Sequence, residues 1–318
     1  MKPIRKKCTT FVFDIKSEGH TNEIIQVNTI DQYNKLFGIE TRHPLIGIVD
    51  LNRPEQLIPY KMNIGFYALF LKEEVCGELT YGRGRYDYQE GTVVALAPGQ
   101  IVGLNNPSGV KPPASKGLLF HPDLIRGTAL GQEIRNYQFF SYEANEALHL
   151  SLEERRIVAD CLNKIATELE HPIDKHSRRL ITAHIGVLLD YCLRFYDRQF
   201  TTRSEQNRDV IVRFERLLDE YFESSMPQSE GLPSVRYFAE KVFLSPNYFG
   251  DMVRKQTGKT ASEYIQTKII ERAKENLLSS DKTTSQIALE LGFQYPQHLS
   301  RMFKRIVGCT PNEFRTRN

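Results

Sequence analysis

The string IALELGFQYPQHLSRMFKRIVGCTPNEFR, residues 287–315, gives the clearest indication of the fold of the last third of this chain, because an earlier string repeats its pattern. The earlier string is FAEKVFLSPNYFGDMVRKQTGKTASEYI, residues 238–265. When one string is shifted by fifty residues onto the other, Gly258 coincides with Gly308. A proline, paired cations, a threonine and a glutamate coincide as well. A pattern that occurs twice predicts one structural unit built twice.

Each copy predicts two helices joined by a turn. The first helix (about 234–242, and then 283–290) carries a small alanine that faces inward, so that another helix can cross closely above it. The second helix begins with a proline at an early position, where the missing N–H costs nothing, and ends at a glycine. We therefore predict helix-turn-helix units at 234–257 and 283–307, with the second helix of each entering a major groove of DNA.

The segment between the copies suggests why one chain carries the unit twice. YIQTKIIERAKENLL, residues 264–278, has apolar residues at helical spacing. These fifteen residues would form a rod of about 22 Å. Such a rod could hold the two recognition helices about one DNA turn, ~34 Å, apart. We therefore expect one chain to read two adjacent major grooves. For a single copy, an αα-hairpin that serves only as core is the alternative.

Composition and charge narrow the function classes. The 318 residues suffice for about two domains, and no apolar run approaches the ~18 residues of a membrane span. Five scattered cysteines without a Cys-x-x-Cys pair argue against a disulfide framework or a zinc site. They favour a reducing compartment, and we expect a cytoplasmic protein. Residues 232–318 carry a net charge of +6, which leaves −3 for the rest of the chain. A basic carboxyl-terminal domain favours a polyanionic partner.

The first 120 residues are dominated by predicted strands, and helices follow. Short apolar or alternating segments between turn residues predict strands at 11–15, 23–27, 45–51, 65–71, 78–82, 92–98 and 116–120. One helix is expected at 28–38. Ser151 and Glu154 predict a capping box at the start of an amphipathic helix, and a second helix follows Pro172. The polar segment TTRSEQNRD, residues 201–209, is interpreted as an interdomain connection.

Residues 210–318 resemble the DNA-binding domain of the AraC/XylS family of bacterial transcription regulators. The resemblance rests on a weaker first copy and on Ile287, Ala288, Gly292, Phe293, Phe303, Lys304, Gly308, Thr310, Pro311, Phe314 and Arg315. The strand-rich half is similar to the cupin-like sensor domain that often precedes this domain. The resemblance implies a DNA-binding domain of seven helices that usually activates transcription by recruiting RNA polymerase.

The same resemblance implies an α+β multidomain protein. A cupin-like β-barrel or sandwich that binds an effector is expected over 1–135, and a helical linker with a dimerisation segment over 136–205. An all-α DNA-binding domain is expected over 206–318. The implied partners are double-stranded DNA, a small-molecule effector, RNA polymerase and a second copy of the chain, with no membrane, cofactor or metal. The expected function is that of a sequence-specific transcription regulator and not that of an enzyme.

Position in the family motif assigns the residues that face DNA. In the first recognition helix they are Ser245, Asn247, Gly250, Asp251, Arg254 and Lys255. In the second they are Tyr295, Pro296, Gln297, Ser300 and Arg301, with phosphate contacts at Lys304, Arg305 and Arg315. We expect Gln297 to pair with adenine and Arg301 with guanine, each bidentate contact contributing about 1–3 kcal/mol of discrimination. Gly250 offers no group to a base edge. The first copy is therefore expected to act mainly through Asn247, Arg254 and Lys255.

Several assignments have an alternative. His298 is expected to be exposed without a role in reading bases. A helical face with Leu180, Leu188, Leu189 and Cys192 forms a subunit interface or packs on its own chain. The aromatic residues Phe66, Tyr67, Tyr81, Tyr86 and Tyr88 line an effector pocket or belong to the core.

Two other functions compete with a regulator. A cupin-type enzyme with a helical oligomerisation tail would need clustered metal ligands, whereas His20, His43 and His121 are isolated in the sequence. A non-specific architectural DNA binder would rest on phosphate neutralisation alone. The charge excess of the carboxyl-terminal domain is small for that task.

Overall fold

A computed structural model of the chain describes residues 24–50, 60–72, 79–81, 84–86, 91–104, 115–142, 146–202 and 204–317. Strands dominate before residue 121 and helices after it, which confirms the mixed α+β class. The strand predicted at 11–15 lies outside the described residues.

Ten strands form two five-stranded sheets within the described residues. They are β1 Ile24–Val27, β2 Ile46–Asp50, β3 Tyr60–Ile64, β4 Tyr67–Lys72, β5 Leu79–Tyr81, β6 Gly84–Tyr86, β7 Thr92–Leu96, β8 Ile101–Leu104, β9 Ser115–Phe120 and β10 Leu148–His149. The first sheet has the order β1-β3-β8-β5-β6 and the second β10-β7-β4-β9-β2. Strands β1 and β3 are parallel, and the other pairs are antiparallel. The described strands do not close into the expected barrel.

Both faces of the second sheet are buried, as strand β4 illustrates. Ala68 and Phe70 pack in the core between the two sheets, whereas Leu69 and Leu71 pack in a second core that includes the helices. Successive side chains of a strand point to opposite faces. A strand that is buried on both faces therefore needs apolar residues at successive positions, which explains the continuous apolar run at 65–71.

The predicted helices of the first two thirds are present. They are α1 Ile30–Leu36, α4 Leu152–Glu170 and α5 Ser177–Thr202, with two short additions, α2 Pro122–Ile125 and α3 Ala129–Glu133. Two 3₁₀ turns, Ile134–Asn136 and Gln138–Ser141, lead from α3 toward β10. The capping box of Ser151 and Glu154 is confirmed at the start of α4. Helices α4 and α5 pack against each other, and α4 covers the second sheet.

The segment 201–209, interpreted as an interdomain connection, is helical over most of its length. Helix α5 continues to Thr202, and α6 Ser204–Glu223 begins almost at once. Asn207 is buried, and its amide nitrogen donates to the backbone oxygen of Phe200 at 3.0 Å. A polar side chain with a buried backbone acceptor thus stabilises a tight junction between two helices. Composition alone does not distinguish this junction from a solvated linker.

The carboxyl-terminal region continues with α7 Met226–Glu230, α8 Val235–Lys241, α9 Pro246–Thr257, α10 Ala261–Ser279, α11 Thr284–Glu290, α12 Pro296–Val307 and α13 Pro311–Arg317. Between 204 and 317, seven helices have seven or more residues, and α7 is a single turn of five. Helix α10 packs against both helical pairs, α8–α9 and α11–α12.

The two helix pairs share the same turn. Ala239 and Ala288 are fully buried, and each backbone oxygen accepts from the residue five positions later at 2.9 Å. The residue that starts the turn has a left-handed backbone in both copies, with φ of 61° at Phe243 and 91° at Gly292. Phe243 is therefore the counterpart of Gly292 in the first copy. Glycine tolerates this conformation, whereas phenylalanine rarely adopts it.

A continuous apolar core joins the helical units to the second sheet. It runs from Leu69 in β4 through Ile185 in α5 and Phe214 in α6 to Phe303 in α12. The ring of Phe214 lies 5.0 Å from those of Phe238 and Phe249, in edge-to-face geometry, and thereby stabilises the first helix pair. Among the described residues, no helix is long and apolar enough to cross a membrane.

Candidate nucleic-acid interface

Helix α12 presents one polar face away from its own core. It begins at Pro296 and ends at Gly308, whose left-handed backbone (φ 90°) stops the helix. Leu299 and Phe303 are fully buried and anchor the helix. The opposite side carries the exposed side chains of Gln297, Arg301 and Lys304. Their three- and four-residue spacing puts them on a single face.

The cation at the centre of this face is unpaired. Within the described part of the chain, Arg301 has neither a hydrogen-bond nor an ion-pair partner. Arg305 is also exposed and donates to Gln266 of α10 at 2.7 Å. Tyr295 is 54% exposed, and its ring meets that of His298 edge-on at 5.5 Å. Ser300 is half-buried and donates to the oxygen of Pro296 at 3.4 Å. Helix α12 therefore has free guanidinium and amide donors of the kind that contact base edges and phosphates.

Helix α9 is anchored in the same way, and part of its polar face is exposed. Phe249, Met252 and Val253 are buried in its own unit. Asn247 and Arg254 are exposed side chains on the outer side of the helix. The half-exposed Gly250 lies between these two residues on the same side, so a partner can approach the backbone there.

The other predicted contacts of α9 face the amino-terminal half of the chain. Ser245 is 3% exposed, and its N–H and hydroxyl each donate to the Glu146 carboxylate at 2.5 Å. Asp251 accepts from the hydroxyl of Tyr142 at 2.5 Å. Ser245 therefore has no access to a base edge in this arrangement, contrary to the sequence-based assignment.

Further contacts of α9 with the amino-terminal half involve Lys255 and Tyr248. Lys255 pairs with Asp197 of α5 at 2.7 Å, and the ring of Tyr248 packs edge-on against Tyr142 at 5.2 Å. Phe200 covers the other side of Tyr248 at 4.9 Å. Burial raises the pKa of Asp251, and the hydrogen bond from Tyr142 partly opposes that rise.

The residues that cover α9 were not found from the sequence. Tyr142, Glu146 and Asp197 belong to no motif there. One signal was available, since Tyr248 corresponds to His298 under the fifty-residue shift. A large aromatic residue in place of an exposed polar one indicates a face that is covered in one copy only.

Arg315 occupies a structural position instead of facing outward. Its guanidinium donates to the backbone oxygens of Leu277 at 2.8 Å, Lys282 at 2.6 Å and Ser280 at 3.4 Å. These oxygens lie at the carboxyl-terminal end of α10 and just beyond it, where helical carbonyls have no partners within the helix. Arg315 therefore caps α10, and we remove it from the expected phosphate contacts.

A capping box follows each recognition helix. Thr260 N–H donates to Glu263 at 2.9 Å at the start of α10, and Thr310 N–H donates to Glu313 at 2.8 Å in the second copy. These hydrogen bonds lower the pKa of both carboxyl groups. The threonine and glutamate of the repeated pattern thus orient the helix that comes after each recognition helix.

The face of α5 that was a candidate subunit interface packs mostly on its own chain. Leu188, Leu189 and Cys192 are fully buried, so the subunit-interface alternative is wrong for these three residues. Leu180 is 46% exposed.

The predicted pocket aromatics divide between the two faces of the second sheet. Phe66 is buried beside a small apolar cavity of about 60 Å³ between the sheets. Tyr67 stacks on Phe120 at 5.0 Å on the other face. The side chains of Tyr81 and Tyr86 and the whole of Tyr88 lie outside the described residues.

The isolated histidines have structural partners where they are described. His43 and His121 each accept a backbone hydrogen bond from the residue two positions later, and His20 lies outside the described residues. No group of three or more His, Cys, Asp or Glu side chains in the described ranges could hold a metal ion.

Comparisons with known proteins agree with this architecture. Residues 238–317 match the family model described as a helix-turn-helix domain. The transcriptional regulatory protein YesN of Bacillus subtilis is 36% identical over 78 residues, which are 24% of this chain and 21% of YesN. The Transposon Tn10 TetD protein of Escherichia coli is 33% identical over 143 residues, which are 45% of this chain and 91% of TetD.

The chain also matches a solved structure. The solved protein is a transcriptional regulator from Chromobacterium violaceum with an AraC-type DNA-binding domain, and it is 24% identical. The similarity covers 29% of this chain and 84% of that chain, with a TM-score of 0.26. This chain spans about a fifth of the length of YesN and most of the length of TetD.

Proposed function

The chain belongs to the AraC/XylS family of DNA-binding transcription regulators, and we propose that it binds a specific duplex DNA sequence through both of its helix-turn-helix units. The observation that carries this proposal is the repeat itself. Two helix pairs share one turn geometry, one buried alanine and one terminal glycine. A unit used only as core would not need exposed donors at equivalent positions of both copies.

The two recognition helices are linked by a rigid element. Helix α10 has 19 residues, longer than the rod expected from the sequence, and would extend about 28 Å. Its apolar face, with Ile265, Ile269 and Leu277, is buried against the pairs on either side. A fixed separation between α9 and α12 favours adjacent major grooves on one side of a duplex.

We expect the recognition helices to divide the work unequally. Gln297 and Arg301 read base edges in the second unit, with Lys304 and Arg305 on phosphates. Asn247 and Arg254 serve the first unit, where fewer donors are exposed. Domain limits of 1–135, 136–205 and 206–318 remain our division of the chain, with α5 and α6 meeting at the second limit.

The amino-terminal unit is proposed to be a cupin-like sensor. The support is the pair of facing sheets around an apolar core; because the cavity beside Phe66 has only about 60 Å³, compared with the ~300–1,000 Å³ of ordinary ligand pockets, a bound effector would require the sheets to move apart. The family resemblance further suggests RNA polymerase and a second copy of the chain as partners, with activation of transcription as the result.

Selection from a random DNA pool with the full chain tests the function. We expect enrichment of one motif with two elements spaced by about one helical turn. Recovery of unselected sequences at moderate salt would refute sequence-specific binding. The metal content of the purified protein tests the alternative of a cupin-type enzyme, for which a stoichiometric transition metal is required.

A further inference from the structure

The internal repeat provides a comparison between two copies of the same helix in one chain. The residues of α12 that correspond to Ser245, Tyr248, Asp251 and Lys255 are all exposed; they are Tyr295, His298, Arg301 and Arg305. In α9, Ser245 and Tyr248 are only 3% and 6% exposed. The difference does not come from the helix-turn-helix unit, because both units share the same fold. It comes from the amino-terminal half, which packs on one of the two recognition helices.

The contact is made by a short segment and by the end of one helix. On one side the contacting residues are Tyr142, which follows the 3₁₀ turn Gln138–Ser141, and Glu146, and on the other Asp197 and Phe200 near the end of α5. Gln138 adds a contact, since its amide nitrogen can donate to both oxygens of Asp251 at 3.0 Å. We call the five residues Gln138, Tyr142, Glu146, Asp197 and Phe200 the docking segment.

Glu146 is the central group of the docking segment. Glu146 is 2% exposed. Its two carboxylate oxygens accept from the N–H and the hydroxyl of Ser245, the residue that caps the start of α9. Free N–H groups and the helix dipole make the start of a helix favourable for an anion. In protein–DNA complexes, helix starts use these groups to bind backbone phosphates. A carboxylate that holds this position therefore competes with a phosphate.

The rest of the contact blocks neighbouring positions on the same face. Lys255, which could bind phosphate, is neutralised by Asp197 at 2.7 Å. Asp251 lies on the side of α9 that faces away from the core of the first helix-turn-helix unit, and there it accepts a hydrogen bond from Tyr142. The equivalent residues in α12, Arg301 and Arg305, are both exposed, and neither contacts the amino-terminal half in the described residues.

We propose that the docking segment holds the first recognition helix in a closed state, in which Glu146 takes the place of a DNA phosphate and only the second unit is free to bind. This inference rests on the proposed function. Opening the contact releases Ser245, Lys255 and the start of α9, and the chain then engages two grooves. The contact is polar and aromatic, and a cleft of about 460 Å³ remains beside it, as expected for domain surfaces that separate.

The test changes only residues of the docking segment, so that no side chain on the DNA-facing helices is altered. The variants are Glu146→Gln, Tyr142→Phe and Asp197→Asn in the full chain. Glu153→Gln, which removes an exposed carboxylate at the start of α4, is the matched control. Thermal melting establishes that each variant folds, and Tyr142→Phe and Asp197→Asn keep the test valid if the buried Glu146 proves necessary for folding.

Each protein is titrated with two duplexes at one fixed salt concentration. One duplex carries the selected two-element site, and the other keeps only the element whose base preference depends on Arg301. Wild type is expected to prefer the two-element duplex by only about threefold, because opening the contact opposes binding of the first unit; repeated rounds of selection still enrich the two-element site. The docking variants should bind the two-element duplex about tenfold more tightly than wild type, since a hydrogen bond to a charged group is lost from the closed state only. Their affinity for the one-element duplex should not change.

Two results would overturn the inference while leaving the proposed function intact. In the first, wild type already binds the two-element duplex far more tightly than the other. In the second, the docking variants behave like Glu153→Gln on both duplexes. If neither wild type nor any variant prefers a selected duplex over random DNA, the proposed function fails and the closed state fails with it.

Discussion

Gly292 approaches Gly231 so closely that the second turn has no room for a side chain at position 292. A Cβ placed on Gly292 would lie 2.7 Å from the carbonyl carbon and oxygen of Gly231, and 2.8 Å from the oxygen of Pro227. The backbone at Gly292 is also left-handed, with φ of 91°. The backbone of the second helix-turn-helix thus lies directly against the end of α7, the short helix that precedes the first unit.

Gly292→Ala should therefore lower the free energy of unfolding by about 2–3 kcal/mol, because both the left-handed backbone and the close contact oppose a methyl group. Urea unfolding of the full chain measures this change. Gly250→Ala is the matched control, since Gly250 lies inside α9 with nothing within 4 Å of an added Cβ. That control should gain about 0.5–1 kcal/mol. Equal effects of the two substitutions would contradict the close contact.

Arg301→Ala should relax the base preference at one position of the selected site. Loss of a bidentate contact to guanine removes about 1–3 kcal/mol of discrimination there, while other positions keep their preference. Selection from a random pool with both proteins measures this effect. His298→Ala, a change at an exposed neighbour, should leave the motif unchanged. An identical motif for wild type and Arg301→Ala would show that Arg301 does not read a base.

Lys304→Ala should weaken binding to all duplexes alike and make the salt dependence shallower by about one unit of slope, as expected for one lost phosphate contact. Fluorescence anisotropy titrations at several salt concentrations measure the slope. Lys164→Ala removes the same charge from an exposed position on α4 and should leave the slope unchanged. If the salt dependence of Lys304→Ala were as steep as that of wild type, Lys304 would be excluded from the phosphate contacts.

Glu263 and Glu313 should titrate below their ordinary pKa of 4.5, because each accepts a hydrogen bond from a threonine N–H in a capping box. A folded-state pKa below the unfolded value gives a stabilising contribution that is present above the unfolded pKa. It is lost as the pH falls through the folded pKa. Glu313→Gln should therefore unfold at lower urea than wild type at pH 7, and the difference should shrink in acid. A difference that is constant with pH would argue against the ionised cap.

The two helix-turn-helix units, their order and the helix between them follow from the sequence without knowledge of the tertiary structure. These features depend on apolar periodicity, terminal glycines and capping residues, all of which act within a few residues of each other. For the same reason α4, α5 and most strands were predicted at their observed places. The helical junction at 201–209 does not show in the sequence. It is stabilised by a hydrogen bond from Asn207 to Phe200, and the sequence there looks like an ordinary polar segment.

Which faces of those helices are exposed depends on the tertiary structure. Glu146 and Ser245 are 99 residues apart in the chain, and Arg315 reaches the end of α10 from 38 residues away. Leu188 and Leu189 are buried by α5's neighbours and not by a second subunit. Local patterns show that a helix has a polar or an apolar face. What covers that face depends on segments brought together by folding, and therefore on contacts that no local pattern encodes.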